Sequence, residues 1–267
     1  MKTYKQVFSE LAQVKRVALI PFFVIGDPDL DASLAVVRTA IDAGADILEL
    51  GIPFSDPIAD GPTIQKADIR ALKSGMTVRK ALEFIRKVKG HKDIPIGLLM
   101  YYNLIYQYGT EKFFSDFCQA GVNSVLVADL SIDDADEIYD LARSAGLDTV
   151  FMVTPNTEPE RIRMIASKTT GFIYTVSLLG VTGSRENLSD VIEGLVRRLK
   201  KLTPVPVCVG FGISKAEHAK AVARAGADGV IIGSKIVGLI ERNLSDNEKM
   251  LSEISDFIGE VRHAIGN

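Results

Sequence analysis

One short phrase occurs four times along the chain and limits the folds that the chain can adopt. In each copy an alanine and a glycine are followed by an apolar residue, an aspartate or asparagine, and then a short apolar run. This order is typical of a helix that ends at a glycine, turns over two residues and enters a buried strand. Because the short joint is repeated, it predicts successive β-α units with parallel strands. The four copies are 43–46, 120–123, 145–148 and 225–228.

Apolar runs bounded by turn residues predict eight strands at a mean spacing of about 30 residues, separated by amphipathic segments of helical length. This number and spacing favour an α/β fold, a (β/α)8 or TIM barrel that forms a single domain over residues 1–267. A doubly wound open sheet is the alternative, but no sign of a second domain supports it. The predicted strands are 17–24, 47–50, 96–100, 125–127, 149–153, 172–176, 207–209 and 230–232, and the predicted helices are 31–43, 77–88, 110–120, 132–145, 159–168, 188–201 and 215–225.

Extra helices are predicted outside this repeat. Tyr4, Val7, Phe8 and Leu11 follow the i, i+3, i+4, i+7 spacing of an amphipathic helix, which would cover the bottom of the barrel. After the last strand, residues 235–243 predict a short extra helix, followed by one more helix. Barrels often hold a phosphate group with such a short helix.

Composition excludes several classes of partner. The chain has 31 basic and 34 acidic residues, a net charge of −3, so bulk attraction to nucleic acid or to an anionic membrane is not expected. The longest apolar run, 17–25, is far shorter than the ~20 residues of a spanning helix. Cys118 and Cys208 lie far apart in apolar surroundings, which predicts reduced core residues in a cytoplasmic protein.

In a barrel of this kind the active site is built by the segments that follow the strands. Glu49 lies between Leu48 and Leu50 within the second predicted strand, so its carboxyl group points either into the barrel or out at the helix layer, and both are apolar environments. Burial would raise its pKa toward neutrality, as a general acid or base requires. The alternative is a scaffold glutamate that is hydrogen-bonded to the backbone. Asp60 follows in a proline-rich loop, where it is either a second functional carboxylate or an ordinary turn aspartate.

Glycines after the last two strands predict an anion site. The segment 210–214 follows the seventh strand, and Gly233 and Ser234 follow the eighth, where a helix N-terminus would add its positive end. These glycines would let backbone N–H groups approach a phosphate, although they would also serve tight turns. The segment 180–185 adds a loop that could close over a ligand.

The positions of histidine and lysine argue against several classes of catalytic mechanism. The three histidines, at 91, 218 and 263, follow no strand and form no ligand-like pair, which argues against a zinc-assisted aldolase or a histidine triad. No lysine lies within a predicted strand, which weakens a Schiff-base mechanism. The remaining interpretation is a protein that holds a small molecule by its phosphate group and acts on it with carboxyl groups, without a metal.

Several longer phrases together resemble the tryptophan synthase α-subunit family along nearly the whole chain. The most specific is LELGIPFSDP at 48–57, followed by ADGP at 59–62. The others are MYYN at 100–103, GVTG at 180–183, GFGIS at 210–214 and GS at 233–234.

This resemblance implies the reversible cleavage of indole-3-glycerol phosphate to indole and glyceraldehyde 3-phosphate. It assigns Glu49 as the acid/base at the indole ring and Asp60 as the group that faces the indole N–H. It also implies that this chain has no cofactor, and that its partner is a β chain carrying pyridoxal phosphate in an αββα assembly. The implied substrate-site residues are Phe22, Tyr102, Tyr174, Thr182 and Phe211, with the backbone of Gly183, Gly212, Gly233 and Ser234 holding the phosphate.

Two other functions stay open at the level of sequence. A phosphosugar isomerase or aldolase on a related barrel would predict a lysine, histidine or metal ligand at a strand end. A non-catalytic subunit that binds a phosphate ligand and regulates a partner would predict the loss of Glu49 or Asp60, and both are present.

Tyrosines are concentrated after the third predicted strand, on the side expected to carry the site. Four of the seven tyrosines lie between positions 101 and 108. Because tyrosine is favoured at interface hot spots, this segment predicts a docking surface for a second protein. The alternative is that the first two pack inside and the last two cap the loop. The predicted contact residues are Pro53, Asp56, Asn103, Tyr106 and Tyr108, and the resemblance implies the β chain as the partner.

Overall fold

The computed structural model describes residues 1–176, 185–210 and 212–266. In that part of the chain the strands are β1 (Ala18–Val24), β2 (Leu48–Gly51), β3 (Ile96–Met100), β4 (Ser124–Val127), β5 (Asp148–Thr149), β6 (Phe151–Val153), β7 (Ile173–Thr175), β8 (Val207–Val209) and β9 (Gly229–Ile232). The helices are α1 (Tyr4–Gln13), α2 (Leu30–Asp42), α3 (Pro62–Lys73), α4 (Val78–His91), α5 (Tyr102–Tyr108), α6 (Thr110–Ala120), α7 (Asp136–Ser144), α8 (Pro159–Lys168), α9 (Arg185–Leu202), α10 (Ala216–Arg224), α11 (Ser234–Arg242) and α12 (Asn247–Ile265).

The strands form one parallel sheet in the order β5-β4-β3-β2-β1-β9-β8-β7-β6. β5 and β6 are two halves of one barrel strand, separated by Val150, whose N–H donates to the carbonyl of Val125 on β4. The first half pairs with β4 and the second half with β7, so the sheet curls into a nearly closed barrel of eight strand positions. The (β/α)8 prediction is therefore confirmed, although the predicted fifth strand, 149–153, is interrupted.

The four repeated joints form as the sequence predicts. Gly44, Gly121, Gly146 and Gly226 all have a positive φ, between 89° and 114°. Only glycine adopts that conformation at little cost, which explains why each helix ends at this residue. After each glycine the chain turns directly into the next strand.

Helix α1 covers the bottom of the barrel, as predicted. Tyr4 points into it, with its hydroxyl oxygen 2.7 Å from the hydroxyl oxygen of Ser124 and its ring edge-on to Phe172. A methyl group at Gly97 would lie 2.5 Å from the Tyr4 hydroxyl, so the barrel wall is tailored to this side chain. The bottom is thus filled, and the open end lies at the carboxyl ends of the strands.

Alternation along the strands separates two apolar layers. Ile20 and Ile47 lie in the barrel interior, whereas Leu48 and Leu50 pack in the layer between strands and helices. Since successive side chains of a strand point to opposite faces, Glu49 enters the interior. The alternation, together with the outer-layer packing of Leu48 and Leu50, therefore directs a carboxyl group into the barrel.

Two helices lie in segments that the sequence reading treated as loops. Helix α3 begins at Pro62, with Gly61 as its N-cap, and α5 is a helix of seven residues in the tyrosine-rich segment. The predicted helix after the last strand is confirmed as α11, and α12 follows it. Both cysteines are free, as predicted. Among the described helices, none has the length and apolar character needed to cross a membrane.

Candidate active site

A cavity of about 670 Å³ opens at the carboxyl ends of the strands. Its walls come from strand ends, from the segment before α3 and from the first residues of α11, so distant parts of the chain meet there. The described residues that line it are Phe22, Ala59, Asp60, Gly61, Ile64, Leu99, Met152, Thr154, Tyr174, Val176, Gly210, Gly212, Ile213, Ser214, Ile231, Gly233, Ser234 and Lys235.

Glu49 is held at the inner end of this site. It lies on β2, opposite Phe22 of β1, and only 4% of the residue is exposed. Burial and, to a smaller extent, the negative charge of Asp60 raise the pKa of its carboxyl group to about 8, although a hydrogen bond with Tyr174 opposes the shift. Its Oε2 atom has no hydrogen-bond partner among the described residues. A pKa of about 8 keeps Glu49 mostly protonated near neutral pH.

Asp60 is fixed by a tyrosine from the neighbouring strand. The Tyr101 hydroxyl donates to the Asp60 carboxylate at 2.7 Å and accepts the N–H of Ala59 at 3.0 Å. Phe54 stacks on the Tyr101 ring at 5.1 Å between centroids, which holds that ring in place. Partial burial raises the pKa of Asp60, and the hydrogen bond from Tyr101 opposes the shift. This carboxylate can accept a hydrogen bond from a donor such as a ring N–H.

Glycines next to the aromatic walls leave room for the rings. A Cβ at Gly51 would lie 2.9 Å from the Phe22 ring, and one at Gly233 would lie 3.2 Å from it. A Cβ at Gly210 would come within 2.5 Å of the Tyr174 ring. Both rings line the cavity and lie against bare backbone. The cavity therefore has aromatic walls, which suit a planar apolar group.

The backbone at the start of α11 provides the features of an anion site. Gly233 is the N-cap and contributes no side-chain cap, and the first N–H groups of a helix have no partner within the helix. Ser234 and Lys235 line the cavity beside it, together with Gly212, which has a φ of +57°. Unpaired N–H groups and the positive end of the helix macrodipole attract a phosphate.

Most predicted site residues converge on this cavity. Phe22, Asp60, Tyr174, Gly212, Gly233 and Ser234 line it, and Glu49 is hydrogen-bonded to Tyr174. Thr182, Gly183 and Phe211 lie outside the described residues.

Among the described ones, Glu49 and Tyr102 are both absent from the cavity lining, but Glu49 is hydrogen-bonded to the lining residue Tyr174. The alternation that brings Leu99 and Tyr101 inward turns Tyr102 to the other side, where it packs on the outer apolar layer next to Tyr106. Its assignment to the substrate site stays a prediction that this placement does not support, whereas Tyr101 contacts Asp60.

A further carboxyl group near Asp60 is buried, and the sequence pattern did not single it out. Asp68 on α3 is 5% exposed, and burial together with the charge of Asp60 raises its pKa to about 7, while the N–H of Phe54 opposes the shift. A signal was present, because Asp68 follows Ile64 by four residues and so shares the buried face of an amphipathic helix. Recognising it required recognising α3.

The predicted contact surface is divided by the fold. Asp56, Asn103 and Tyr106 are exposed, with Tyr106 at 64%, whereas Pro53 is buried. Tyr108 is half-buried, since its hydroxyl donates to Asp116 at 2.7 Å and its ring lies edge-on to Phe113. Pro53 offers no surface to a partner, and Tyr108 offers little, because both are already used inside the chain.

Three comparisons with known proteins agree. A family model for the tryptophan synthase alpha chain matches residues 8–266. The alpha chain of Methanothermobacter thermautotrophicus is 46% identical over 94% of this chain and 93% of its own length, and that of Salmonella paratyphi B is 41% identical over 99% of both.

Solved structures show the same likeness. The tryptophan synthase subunit alpha of Legionella pneumophila superposes with a TM-score of 0.91 at 30% identity, covering 99% of this chain and 98% of that one. A chain of the tryptophan synthase α2β2 complex from Pyrococcus furiosus gives 0.86 at 40% identity, covering 93% and 98%. Because the family model spans residues 8–266 and relatives at least 41% identical match nearly the whole chain, the chain belongs to the tryptophan synthase alpha chain family.

Proposed function

We propose that the chain is the lyase subunit of tryptophan synthesis and cleaves indole-3-glycerol phosphate reversibly to indole and glyceraldehyde 3-phosphate. The observation that carries this function is the pair of carboxyl groups at one cavity, Glu49 kept protonated by burial and Asp60 oriented by Tyr101. The aromatic walls of the cavity suit the indole ring, and the start of α11 suits the phosphate.

The reaction needs one proton delivered and one proton removed. Protonated Glu49 adds its proton to the ring carbon that carries the glycerol chain, and positive charge then spreads to the ring nitrogen. Asp60 accepts the ring N–H and stabilises that charge. When the glycerol hydroxyl gives its proton to the Glu49 carboxylate, the carbon–carbon bond breaks and its electron pair restores the aromatic ring. The products are indole and the aldehyde, and Glu49 is protonated again.

We infer that this chemistry uses no cofactor in this chain, because the Glu49 carboxyl group performs both proton transfers. Among the described residues, no group of three histidine, cysteine or acidic side chains is arranged to hold a metal ion. The partner is a β chain that carries pyridoxal phosphate and joins the indole to serine. An αββα assembly agrees with the α2β2 complex of the Pyrococcus relative. Exposed Asp56, Asn103 and Tyr106 lie on segments beside the site, where such a partner would dock.

We also propose that residues 1–267 act as one domain in the cytoplasm. Strand β1 pairs with both β2 and β9, so the two ends of the chain share one sheet. Two free cysteines are typical of a protein from a reducing compartment.

The test is indole release from indole-3-glycerol phosphate by the purified chain, alone and with a β chain. If the cleavage is acid/base catalysed, a chelator should not abolish indole release. Borohydride should not trap the substrate on the chain as a covalent adduct. A trapped lysine adduct would favour a Schiff-base aldolase instead. Binding of the substrate with no indole release, alone or with the β chain, would favour a regulatory subunit.

A further inference from the structure

Two helices begin at the mouth of the cavity and converge there. Helix α3 starts directly after Asp60 and Gly61, and α11 starts directly after Gly233 at the proposed anion end. The two helices pack against each other. Whatever fixes one helix relative to the other therefore also fixes Asp60 relative to a bound anion.

Arg70 of α3 makes a two-pronged polar contact in this region. Its Nε and Nη2 atoms donate to the two carboxylate oxygens of Asp27 at 2.6 and 2.9 Å, and the Asp27 side chain is fully buried. Asp27 lies just after β1, the strand that carries Phe22. A two-pronged arginine–carboxylate contact is directional as well as strong, so it fixes the rotation and position of α3.

The same arginine also faces helix α11. Its Nη1 atom is 3.8 Å from an Oε1 atom of Glu241, which accepts a hydrogen bond from Lys66 at 3.0 Å. Lys66 and Arg70 are four residues apart and so share one face of α3. Glu241 lies seven residues after Ser234, about 10 Å along the helix from the anion end. We call Asp27, Arg70, Glu241 and Lys66 the ion-pair chain.

We propose that Arg70 is a positioning residue that couples an anion at the start of α11 to the placement of Asp60. An anion draws the N-terminus of α11 toward itself, and the ion-pair chain carries that displacement to α3. Asp60, which lies two residues before α3, moves with it. Networks of this kind, joining rigid elements, are the physical carriers of coupling between sites. The proposal rests on the proposed function, because it assumes a phosphate end and an indole end in one cavity.

Stability and coupling are separable within the ion-pair chain. The Asp27–Arg70 contact is buried, so its loss destabilises the fold. Glu241 is one-third exposed, and pairs at such positions add little to stability. A change of Glu241 therefore tests the link between the helices with the fold intact.

The experiment measures the dissociation constant of indole with and without saturating inorganic phosphate, on the full chain. We expect phosphate to tighten indole binding about fivefold in the wild type. Arg70→Lys keeps the charge beside Asp27 but loses the two-pronged geometry, and Glu241→Gln removes the second arm. Both variants should lose most of the enhancement. Arg242→Gln is the matched control, because Arg242 is also on α11 but its ion pair is with Glu253 of α12.

Three results would overturn the inference: an enhancement in Glu241→Gln equal to that of the wild type, an equal loss in Arg242→Gln, or no enhancement in the wild type. If Arg70→Lys does not fold, Glu241→Gln decides the question. If the wild type releases indole but Glu241→Gln leaves the phosphate enhancement unchanged, only this inference is overturned. A wild type that releases no indole overturns the proposed function, whatever the coupling.

Discussion

Replacing Glu49 by glutamine is expected to stabilise the folded protein, and to do so more strongly as the pH rises. The pKa of Glu49 is raised from 4.5 to about 8 because its carboxyl group is buried in the barrel. Between these two values the folded state keeps a proton that the unfolded chain has released. Wild-type stability therefore falls as the pH rises through this window.

The size of the effect follows from the shift. Each pKa unit corresponds to about 1.4 kcal/mol, so the full burial penalty approaches about 5 kcal/mol above about pH 8. Glutamine does not ionise in this pH range, so any cost of packing it in the barrel does not vary with pH. The difference in the free energy of unfolding between variant and wild type should thus grow by about 1.4 kcal/mol from pH 6 to pH 7 and level off above about pH 8.

Urea unfolding at several pH values between about 6 and 9 measures this difference. Glu83→Gln is the matched control, because it removes the same charge from an exposed position on α4 and should give a much flatter curve. A difference for Glu49→Gln that does not change with pH would refute the reasoning, since it would mean that Glu49 ionises alike in the folded and unfolded states.

Three further outcomes follow from the cavity walls. Gly233→Asp should weaken the binding of glycerol 3-phosphate at least tenfold by calorimetry, about 1.4 kcal/mol, because a carboxylate would repel the phosphate and crowd Phe22; unchanged affinity would place the anion elsewhere. Gly210→Ala should lower the free energy of unfolding by about 1–3 kcal/mol, because the new methyl group overlaps the Tyr174 ring; a wild-type unfolding curve would contradict this. Tyr106→Ala should weaken the affinity for a β chain without changing stability, because Tyr106 is exposed; equal affinity in a titration would exclude this residue as a contact.

The barrel was predictable because its signals are local. Each joint combines a glycine that must adopt a positive φ with an apolar run that must be buried, and both can be read within about ten residues of sequence. The alternation of Leu48, Glu49 and Leu50 likewise puts the carboxyl group on the opposite side of β2 from the two leucines. This alternation left two directions open for Glu49, into the barrel or out at the helix layer, and the packing of Leu48 and Leu50 in the outer layer decides between them.

Contacts between distant segments were not predictable in the same way. Tyr101 and Asp60 are 41 residues apart, and Arg70 and Asp27 are 43 apart, so no local pattern pairs them. Helix α3 was missed because the prolines before it suggested a loop, although proline at the first position after a glycine N-cap is a regular start of a helix. Asp68 and Arg70 were missed with it.

The turnover of Glu49→Gln tests the central claim most directly. The variant keeps the shape of the side chain and the proposed phosphate end but cannot deliver a proton. Indole release from indole-3-glycerol phosphate should fall at least ~10²-fold, while the dissociation constant for glycerol 3-phosphate stays within about twofold of the wild type. A variant that binds normally and keeps more than about a tenth of wild-type turnover would contradict the assignment of Glu49 as the acid/base.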